Sequence, residues 1–238
     1  MLESTNRKSD LECISDDLTS LLQSISTTKT IDARTFLFQE GEEAHELYVI
    51  QHGLIQISKL TQEGNELNLR TCQEGDIVGE LTLFTDEAKY MLNAYALKKC
   101  KILIIQKDQL EKELLSNSRL TFEFMKWMTN LLRINQSKIK DLVMNGKKGA
   151  LYSTLIRFSN SYGIQQKDGR LIDMHLTNQE IAKFCAATRE SINRMLNDLK
   201  KKGIIQITKE SKILIKDIHY LRTEIGCDHC PIDICVID

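Results

Sequence analysis

The order of hydrophobic and polar positions divides the chain into a region of short strands and a later region of helices. Between residues 30 and 106, short apolar stretches alternate with glycine turns, for example at Gly41, Gly53 and Gly75. The predicted strands are Thr35–Phe38, Glu46–Ile50, Leu54–Leu60, Leu67–Cys72, Ile77–Val78, Tyr90–Leu97 and Lys101–Ile105. Turn signals roughly 10 residues apart favour an antiparallel β-roll or barrel.

A long helix is predicted next, because neither proline nor glycine occurs from Lys107 to Asn145 and apolar residues recur at helical spacing. Steps of three and four residues mark a coiled-coil seam of Met125, Met128, Leu132, Asn135, Ile139 and Leu142. A second apolar stripe beside it consists of Phe124, Trp127, Leu131 and Ile134. A helix with two apolar faces needs two partners. We therefore expect a homodimer along the seam, with Asn135 fixing the register of the two helices. The second stripe is expected to pack on the β-roll. The alternative is a long helix packed within one chain.

A break in this helix is predicted at Gly146-Lys147-Lys148-Gly149, which has the composition of a hinge. A new helix is expected from about Ala150 to Tyr162, with Gly163 as its C′ stop.

The segment Thr177–Lys202 has the pattern of a helix-turn-helix. Thr177 and Glu180 form a capping box that starts the first helix. After a turn at Ala186-Ala187-Thr188, a second helix is predicted from Arg189 to Lys202, ending at Gly203. Its buried stripe is Ile192, Met195, Leu196 and Leu199. The stretches Ile204–Ile207 and Ile213–Ile215 are predicted to form a hairpin, the wing.

The start of the second helix in such a unit enters the DNA major groove. Its outward residues here are Arg189, Glu190, Asn193 and Arg194. Arginine can bind guanine through two hydrogen bonds and glutamate can accept one from cytosine, so this set can read sequence. Phosphate contacts, which position a protein without specifying sequence, are expected from Lys183, Lys200, Lys201 and Lys202. An ordinary helical hairpin with charged outer faces is the alternative.

Charge is unevenly distributed, although the net charge of the chain is only −1. Residues 1–147 hold 18 basic and 22 acidic residues, whereas residues 148–222 hold 14 basic and 7 acidic residues. The resulting balance of +7 around the helix-turn-helix indicates a polyanionic partner, here double-stranded DNA. A solvated lysine-rich face is the alternative.

The order of β-roll, long helix and winged helix-turn-helix, over roughly residues 20–222, resembles the cyclic-AMP-receptor/Fnr superfamily of transcription regulators. The segments Leu176–Ala182 and Arg189–Arg194 are similar to the motifs of that family. The resemblance implies a homodimer that binds DNA and meets RNA polymerase, with Arg189, Glu190 and Arg194 reading TGTGA-type half-sites. Ala186 stands where the family often has glycine, and a strained alanine there should cost about 1 kcal/mol.

Cyclic-nucleotide binding is not expected, although Gly79-Glu80-Leu81 matches the start of the phosphate cassette of the superfamily. The cassette then needs an arginine beside a serine or threonine, and this chain has Tyr90-Met91-Leu92-Asn93 in that region. A buried cyclic phosphate without a cationic partner would be poorly held. We interpret Gly79-Glu80 as a retained turn.

The three cysteines at the end of the chain, Cys227, Cys230 and Cys235, have the spacing of metal ligands. An iron–sulfur cluster would use these thiolates and one further ligand. A zinc ion could use them together with His229. Plain thiols or a redox disulfide are the third possibility. Cys72, Cys100 and Cys185 are expected to be small buried hydrophobes.

The superfamily resemblance favours the cluster, since Fnr-type regulators sense oxygen through a [4Fe–4S] cluster and a C-terminal cysteine set resembles their Bacillus-type branch. That branch uses an aspartate at the end of the dimer helix as fourth ligand, and Asp141 matches its position. His229, Asp228, Asp233 and the scattered cysteines, including Cys13, are its competitors. If Asp141 and the tail cysteines share a cluster, we expect it to tie the dimer helix to the DNA-binding domain and clamp the Gly146–Gly149 hinge. Clamping would place the two recognition helices about 34 Å apart, and loss of the cluster in oxygen would release them.

These patterns together predict an α+β fold: an antiparallel β-roll like that of cyclic-nucleotide-binding domains, a dimerisation helix and a winged helix-turn-helix. The expected boundaries are 1–106, 107–145, 146–222 and, for the cysteine-rich tail, 223–238. No nucleophile–base set, P-loop or dinucleotide fingerprint indicates an enzyme. No apolar run approaches the roughly 18 residues of a membrane span, so we expect a cytoplasmic protein. The superfamily resemblance implies an oxygen-responsive regulator that mainly activates anaerobic genes.

Overall fold

A computed structural model describes residues 8–60, 66–86, 88–227 and 230–237. Within these ranges the chain forms two compact units. One unit comprises residues 8–60 and 68–131, and the other comprises residues 66–67 and 132–237. Each unit is built around its own buried apolar core.

The secondary structure follows the predicted order of strands and then helices. The helices are α1 (Asp10–Cys13), α2 (Asp16–Ser24), α3 (Lys107–Ser116), α4 (Ser118–Met144), α5 (Gly146–Tyr162), α6 (Asn178–Phe184), α7 (Arg189–Lys201) and α8 (Ile218–Glu224). The strands are β1 (Ser26–Ile31), β2 (Phe36–Phe38), β3 (Glu46–His52), β4 (Ile55–Leu60), β5 (Glu66–Cys72), β6 (Ile77–Val78), β7 (Asn93–Ala96), β8 (Cys100–Gln106), β9 (Gly163–Gln166), β10 (Gly169–Ile172), β11 (Ile205–Ile207) and β12 (Ile213–Ile215). This order confirms the α+β class.

The N-terminal unit is the predicted β-roll, made of two four-stranded sheets with strand orders β1-β8-β3-β6 and β2-β7-β4-β5. Strand β8 pairs antiparallel with both β1 and β3. Strand β1 was not predicted, because its sequence STTKTI is polar and only Ile31 is buried. Strand β7 is shorter than the predicted Tyr90–Leu97, since the chain joins the sheet only at Asn93.

The single long helix expected over residues 107–145 is instead two helices, α3 and α4, which meet at Asn117. Asn117 has an extended backbone, with φ −132° and ψ 94°. Its side-chain oxygen accepts a hydrogen bond from Leu120 N at 3.2 Å, as an N-cap does at the start of a helix. The prediction was wrong here because asparagine can end a helix without the glycine or proline that was taken as the signal.

The predicted break between the two helices is present, at Asn145 and at Gly146, which has a left-handed φ of +57°. Helix α5 begins at Gly146 and not at about Ala150, so the rest of the predicted hinge is helical. Gly163 does follow the end of α5, but with φ −84° it has no left-handed stop conformation and instead begins β9. A side chain at Gly163 would come within 2.0 Å of the Ser159 carbonyl oxygen, so a close approach explains this glycine.

The C-terminal unit contains the predicted wing as part of a larger sheet. Strands β11 and β12 pair antiparallel, and β10 and β9 extend the sheet in the order β11-β12-β10-β9. The short strands β9 and β10 and the helix α8 were not predicted. None of the helices in the described ranges is long and apolar enough to cross a membrane.

Candidate functional site

Local hydrogen bonds shape the helix-turn-helix as the sequence predicts. The capping box is formed, because Glu180 N donates to Thr177 Oγ1 at 3.2 Å and Thr177 N donates to Glu180 Oε2 at 2.7 Å. Thr188 Oγ1 accepts from Ser191 N at 3.2 Å and so starts α7. Ala186 in the turn has φ +46°, a left-handed conformation that disfavours any side chain. The strain expected at this alanine is therefore present.

The outer face of α7 carries the candidate base-reading residues. Arg189, Glu190, Asn193 and Arg194 are all exposed, whereas Ile192, Leu196 and Leu199 are buried beneath them. Asn178 donates a hydrogen bond to Asn193 at 3.1 Å, which connects α6 to this face.

The candidate phosphate-binding lysines differ in their surroundings. Lys200, Lys201 and Lys202 are exposed at the end of α7, whereas Lys183 is half-buried on α6. Lys202 donates to Tyr220 at 3.2 Å and pairs with Asp198 at 3.1 Å, and these contacts raise its pKa. Lys183 differs further, because its Nζ donates to Glu66 Oε2 at 2.5 Å and its charge is therefore already paired within the chain.

The two apolar stripes of α4 differ in exposure. The second stripe is buried, with Phe124, Trp127 and Leu131 in a roll-side core, whereas Ile134 packs elsewhere. In the seam, Asn135 is exposed and Met128 and Leu142 are half-buried. The other seam residues show large exposed fractions: Met125 61%, Leu132 56% and Ile139 59%. An exposed apolar row of this size is typical of a surface that another molecule covers.

In the Gly-Glu-Leu sequence of the roll, Gly79 has a left-handed conformation at φ +94° and precedes a single 3₁₀-helical turn, Glu80–Thr82. Glu80 is nearly buried and lies 3.9 Å from the buried guanidinium of Arg70. Burial raises the pKa of Glu80, and Arg70 opposes that shift. Tyr90 stacks on Phe38 with ring centroids 3.8 Å apart.

The tail leaves α8 through a tight C-terminal turn. Gly226 has φ +56°, and Cys227 N donates to the Arg222 carbonyl at 2.9 Å, which is the pattern of a Schellman motif. Farther on, the Pro231 carbonyl accepts from both Ile234 N and Cys235 N at 3.0 Å. These turns fold Cys227, Cys230 and Cys235 back on the C-terminal unit as free, half-buried thiols.

The tail is docked on α4 and α5. Ile234 and Val236 form an apolar cluster with Ile134 of α4, and Cys230 packs against this cluster. Asn160 of α5 donates to the Cys235 carbonyl at 2.6 Å, and Ile237 N donates to Ser161 at 3.0 Å.

The Arg157 guanidinium lies where these three segments meet, with only 3% of its side chain exposed. It donates from Nη1 to the carbonyls of Ile234 and Val236 at 3.2 and 3.3 Å. From Nη2 it donates to Ser137 Oγ and Asp141 Oδ2, both at 2.8 Å. The Asp141 carboxylate, on the last turns of α4, is thereby joined to the tail.

The Cys235 thiol is influenced both by burial and by charged neighbours. Burial raises the pKa of the Cys235 thiol, Arg157 lowers it, and Cys227, Cys230 and Asp141 raise it further. Three thiols supply the soft sulfur donors that iron–sulfur clusters require, and Asp141 supplies one oxygen donor, so the chemistry of this donor set fits such a group.

The other residues that the sequence offers as cluster ligands differ in their burial. Cys72, Cys100 and Cys185 are buried in apolar cores, as predicted, and Cys13 is exposed. Asp228 and His229 lie outside the described residues, and Asp233 is exposed. In the ranges that the structure describes, no group of three or more His, Cys, Asp or Glu side chains is arranged to hold a metal ion.

Comparison with known proteins identifies the family. Two family models match, a cyclic nucleotide-binding domain over residues 28–117 and a Crp-like helix-turn-helix domain over residues 150–224. The chain is 60% identical to the anaerobic regulatory protein of Bacillus subtilis (strain 168) over 232 residues, which cover 98% of each chain. The protein belongs to the Crp/Fnr superfamily of transcription regulators. As a Crp/Fnr regulator with a helix-turn-helix it is a DNA-binding protein and not an enzyme.

More distant members of the Crp/Fnr superfamily also match. The lactate racemization regulatory protein of Lactiplantibacillus plantarum (strain ATCC BAA-793 / NCIMB 8826 / WCFS1) is 30% identical, over 81% of this chain and 88% of that protein. Among solved structures, a CooA mutant from Carboxydothermus hydrogenoformans superposes with a TM-score of 0.73 at 20% identity. That match covers 89% of this chain and 92% of the other, and it supports the fold.

Arg157 and the polar residues around it were not predicted to take part in the site. Their signal is a polar row at helical spacing within α5, formed by Ser153, Arg157 and Asn160. Every residue from Gly149 to Tyr162 is buried, so these polar side chains need partners within the protein.

Proposed function

We propose that this Crp/Fnr regulator is an oxygen-responsive activator of anaerobic genes whose activity depends on a [4Fe–4S] cluster in its C-terminal tail. Cys227, Cys230 and Cys235 would hold three irons and Asp141 the fourth. The observation that carries the proposal is that Arg157 donates both to Asp141 and to the carbonyls of Ile234 and Val236, so that the cysteine-bearing tail and Asp141 are joined by one buried side chain. When bound, the cluster supplies an oxygen-labile link between the tail and α4.

The remaining parts of the regulator would act on DNA. Two copies would pair along the exposed seam of α4 and bind a TGTGA-type palindrome in the cytoplasm, where RNA polymerase is the further partner. Arg189, Glu190, Asn193 and Arg194 would read bases, and the lysines Lys183, Lys200, Lys201 and Lys202 would bind phosphates. The roll would act without a cyclic nucleotide, since Tyr90 and Asn93 replace the expected cationic partner.

The contacts of the tail suggest how oxygen would be read out. The tail carbonyls, Asp141 and Ser137 all accept hydrogen bonds from Arg157 on α5, so an ordered tail braces α5 against the end of α4. Release of the tail removes part of this bracing at the Asn145 break. The two recognition helices then lose their fixed separation of about 34 Å, and DNA binding falls while the fold persists.

The test is the affinity for a TGTGA-N6-TCACA duplex, measured by gel shift with protein prepared without air and with the same protein after exposure to air. We expect tight binding only in the first sample. Equal affinity in both would end the oxygen-response proposal and leave the DNA-binding assignment intact. Colourless protein that contains zinc would instead favour a constitutive, zinc-stapled regulator.

A further inference from the structure

We infer that Arg157 is the positioning residue of the tail site, holding Asp141 and the cysteine-bearing tail in the arrangement that receives the cluster. This inference rests on the proposed function and deepens it. Arg157 touches no iron in this role; it acts through the groups that do. Its position on α5 makes it the point at which α4, α5 and the tail are joined.

Arg157 is deeply buried, with only 3% of its side chain exposed. Burial of a guanidinium costs free energy unless a negative charge pairs with it and its N–H groups find hydrogen-bond acceptors. Here Nε donates to Ser153 Oγ at 3.2 Å, Nη1 to two tail carbonyls, and Nη2 to Ser137 and Asp141. Every nitrogen is used, and the acceptors belong to three separate segments.

The Asp141 carboxylate is held through one of its two oxygens. Arg157 Nη2 and Ser153 Oγ both donate a hydrogen bond to Asp141 Oδ2. The carboxylate is therefore held through one oxygen and can offer the other, Oδ1, to a metal. Carboxylate ligands in metalloproteins are commonly oriented by hydrogen bonds of this kind, and loss of such a partner weakens metal binding.

The positive charge of Arg157 lies close to groups that are negative when they bind metal. Three cysteine thiolates and one aspartate carboxylate repel one another when they are brought together. A buried guanidinium beside them offsets part of that repulsion at short range. Lysine would keep the charge but not the planar fork that reaches several acceptors at once.

The experiment compares full-length wild type, Arg157→Lys and Arg157→Gln, each purified without air and supplied with ferrous iron and sulfide. Lys148→Gln is the matched control, because Lys148 lies on the same helix and pairs with Glu224 at the surface. The control should hold as much iron and sulfide as wild type. We expect Arg157→Gln to bind iron roughly 10- to 100-fold more weakly, with Arg157→Lys in between.

A Mössbauer spectrum of the bound iron separates positioning from a merely structural role. If Arg157 orients Asp141, the iron bound by oxygen changes its signal in Arg157→Lys, while the irons bound by thiolate keep theirs. A structural role would lower the amount of iron and leave the spectrum per cluster unchanged. Ser153→Ala removes the other donor to Asp141 Oδ2, keeps Arg157, and is expected to alter the same signal.

Two results would overturn the inference. One is wild-type iron content with an unchanged spectrum in both Arg157→Lys and Ser153→Ala. The other is reduced iron content whose spectrum per cluster stays that of wild type. If circular dichroism shows Arg157→Gln unfolded, the two milder variants decide. Absence of iron and sulfide from wild type itself would instead overturn the proposed function, so the two failures are distinguishable.

Discussion

Ile134 of α4 packs against Val236 of the C-terminal tail, and both side chains are less than a tenth exposed. Ile134 is the last member of the apolar stripe that the sequence assigns to the β-roll. Its preceding members do pack in a roll-side core, whereas Ile134 is covered by the tail. The end of α4 therefore contributes both a polar ligand candidate, Asp141, and an apolar seat for the tail.

Shortening the Ile134 side chain tests whether the tail packs against α4. Ile134→Ala should lower the free energy of unfolding by about 2 kcal/mol, because it removes buried methylene groups. It should also speed hydrogen exchange at the Val236 and Ile237 amides. Ile139→Ala is the matched control on the same helix, since Ile139 is 59% exposed in one chain. The control should weaken dimerisation and leave tail exchange unchanged; equal tail exchange in both variants would contradict the docking.

Replacement of Ala186, the left-handed residue in the turn of the helix-turn-helix, by glycine is expected to stabilise the protein. Ala186→Gly should raise the free energy of unfolding by up to about 0.5 kcal/mol, because relief of the strain at φ +46° exceeds the entropy that glycine adds to the unfolded chain. Urea denaturation at equilibrium measures the change. Ala187→Gly, one position along, should destabilise. A loss of stability in Ala186→Gly would show that the turn bears no strain.

Base reading and phosphate binding are separable by salt dependence. Arg194→Ala should cost about 1–3 kcal/mol on the preferred site and relax discrimination between sites. Lys201→Ala should weaken binding about equally on all sequences and reduce the salt slope by about one. Fluorescence anisotropy on the palindrome and on a scrambled duplex, at several salt concentrations, measures both. A uniform loss in Arg194→Ala would refute its role in base reading.

Thiol reactivity should follow burial in the reduced, metal-free protein. Burial raises the pKa of Cys185 to about 12, so its thiol stays protonated and unreactive at every pH well below that value. Cys13 is exposed and should be alkylated by iodoacetamide at mildly alkaline pH. Mass spectrometry of peptides locates the label. Labelling of Cys185 as fast as Cys13 in folded protein would contradict the buried assignment.

Features encoded by short-range patterns were predictable from the sequence. The capping box at Thr177, the cap at Thr188 and the buried stripe of α7 depend on residues within one or two helical turns. They appear in the structure as expected. The alternation of strands and glycine turns likewise identified most of the roll.

Features that depend on partners distant in sequence were not predictable. Strand β1 has too few apolar residues to be recognised from the sequence. It forms because its backbone pairs antiparallel with β8. Arg157 looks like a surface residue in the sequence, yet its acceptors lie as far as 79 residues away, at Val236. The spacing of the cysteines suggested a metal site but contained no information about what would orient Asp141.

The central claim is that the tail holds an iron–sulfur cluster, and metal analysis of protein purified without air tests it most directly. We predict about four iron and four acid-labile sulfide ions per chain, with absorbance at about 400 nm that fades in air. Replacement of any of Cys227, Cys230 or Cys235 by serine should abolish both ions, whereas Cys13→Ser should retain them. Zinc in place of iron, or no metal at all, in the anaerobic wild-type protein would contradict the account.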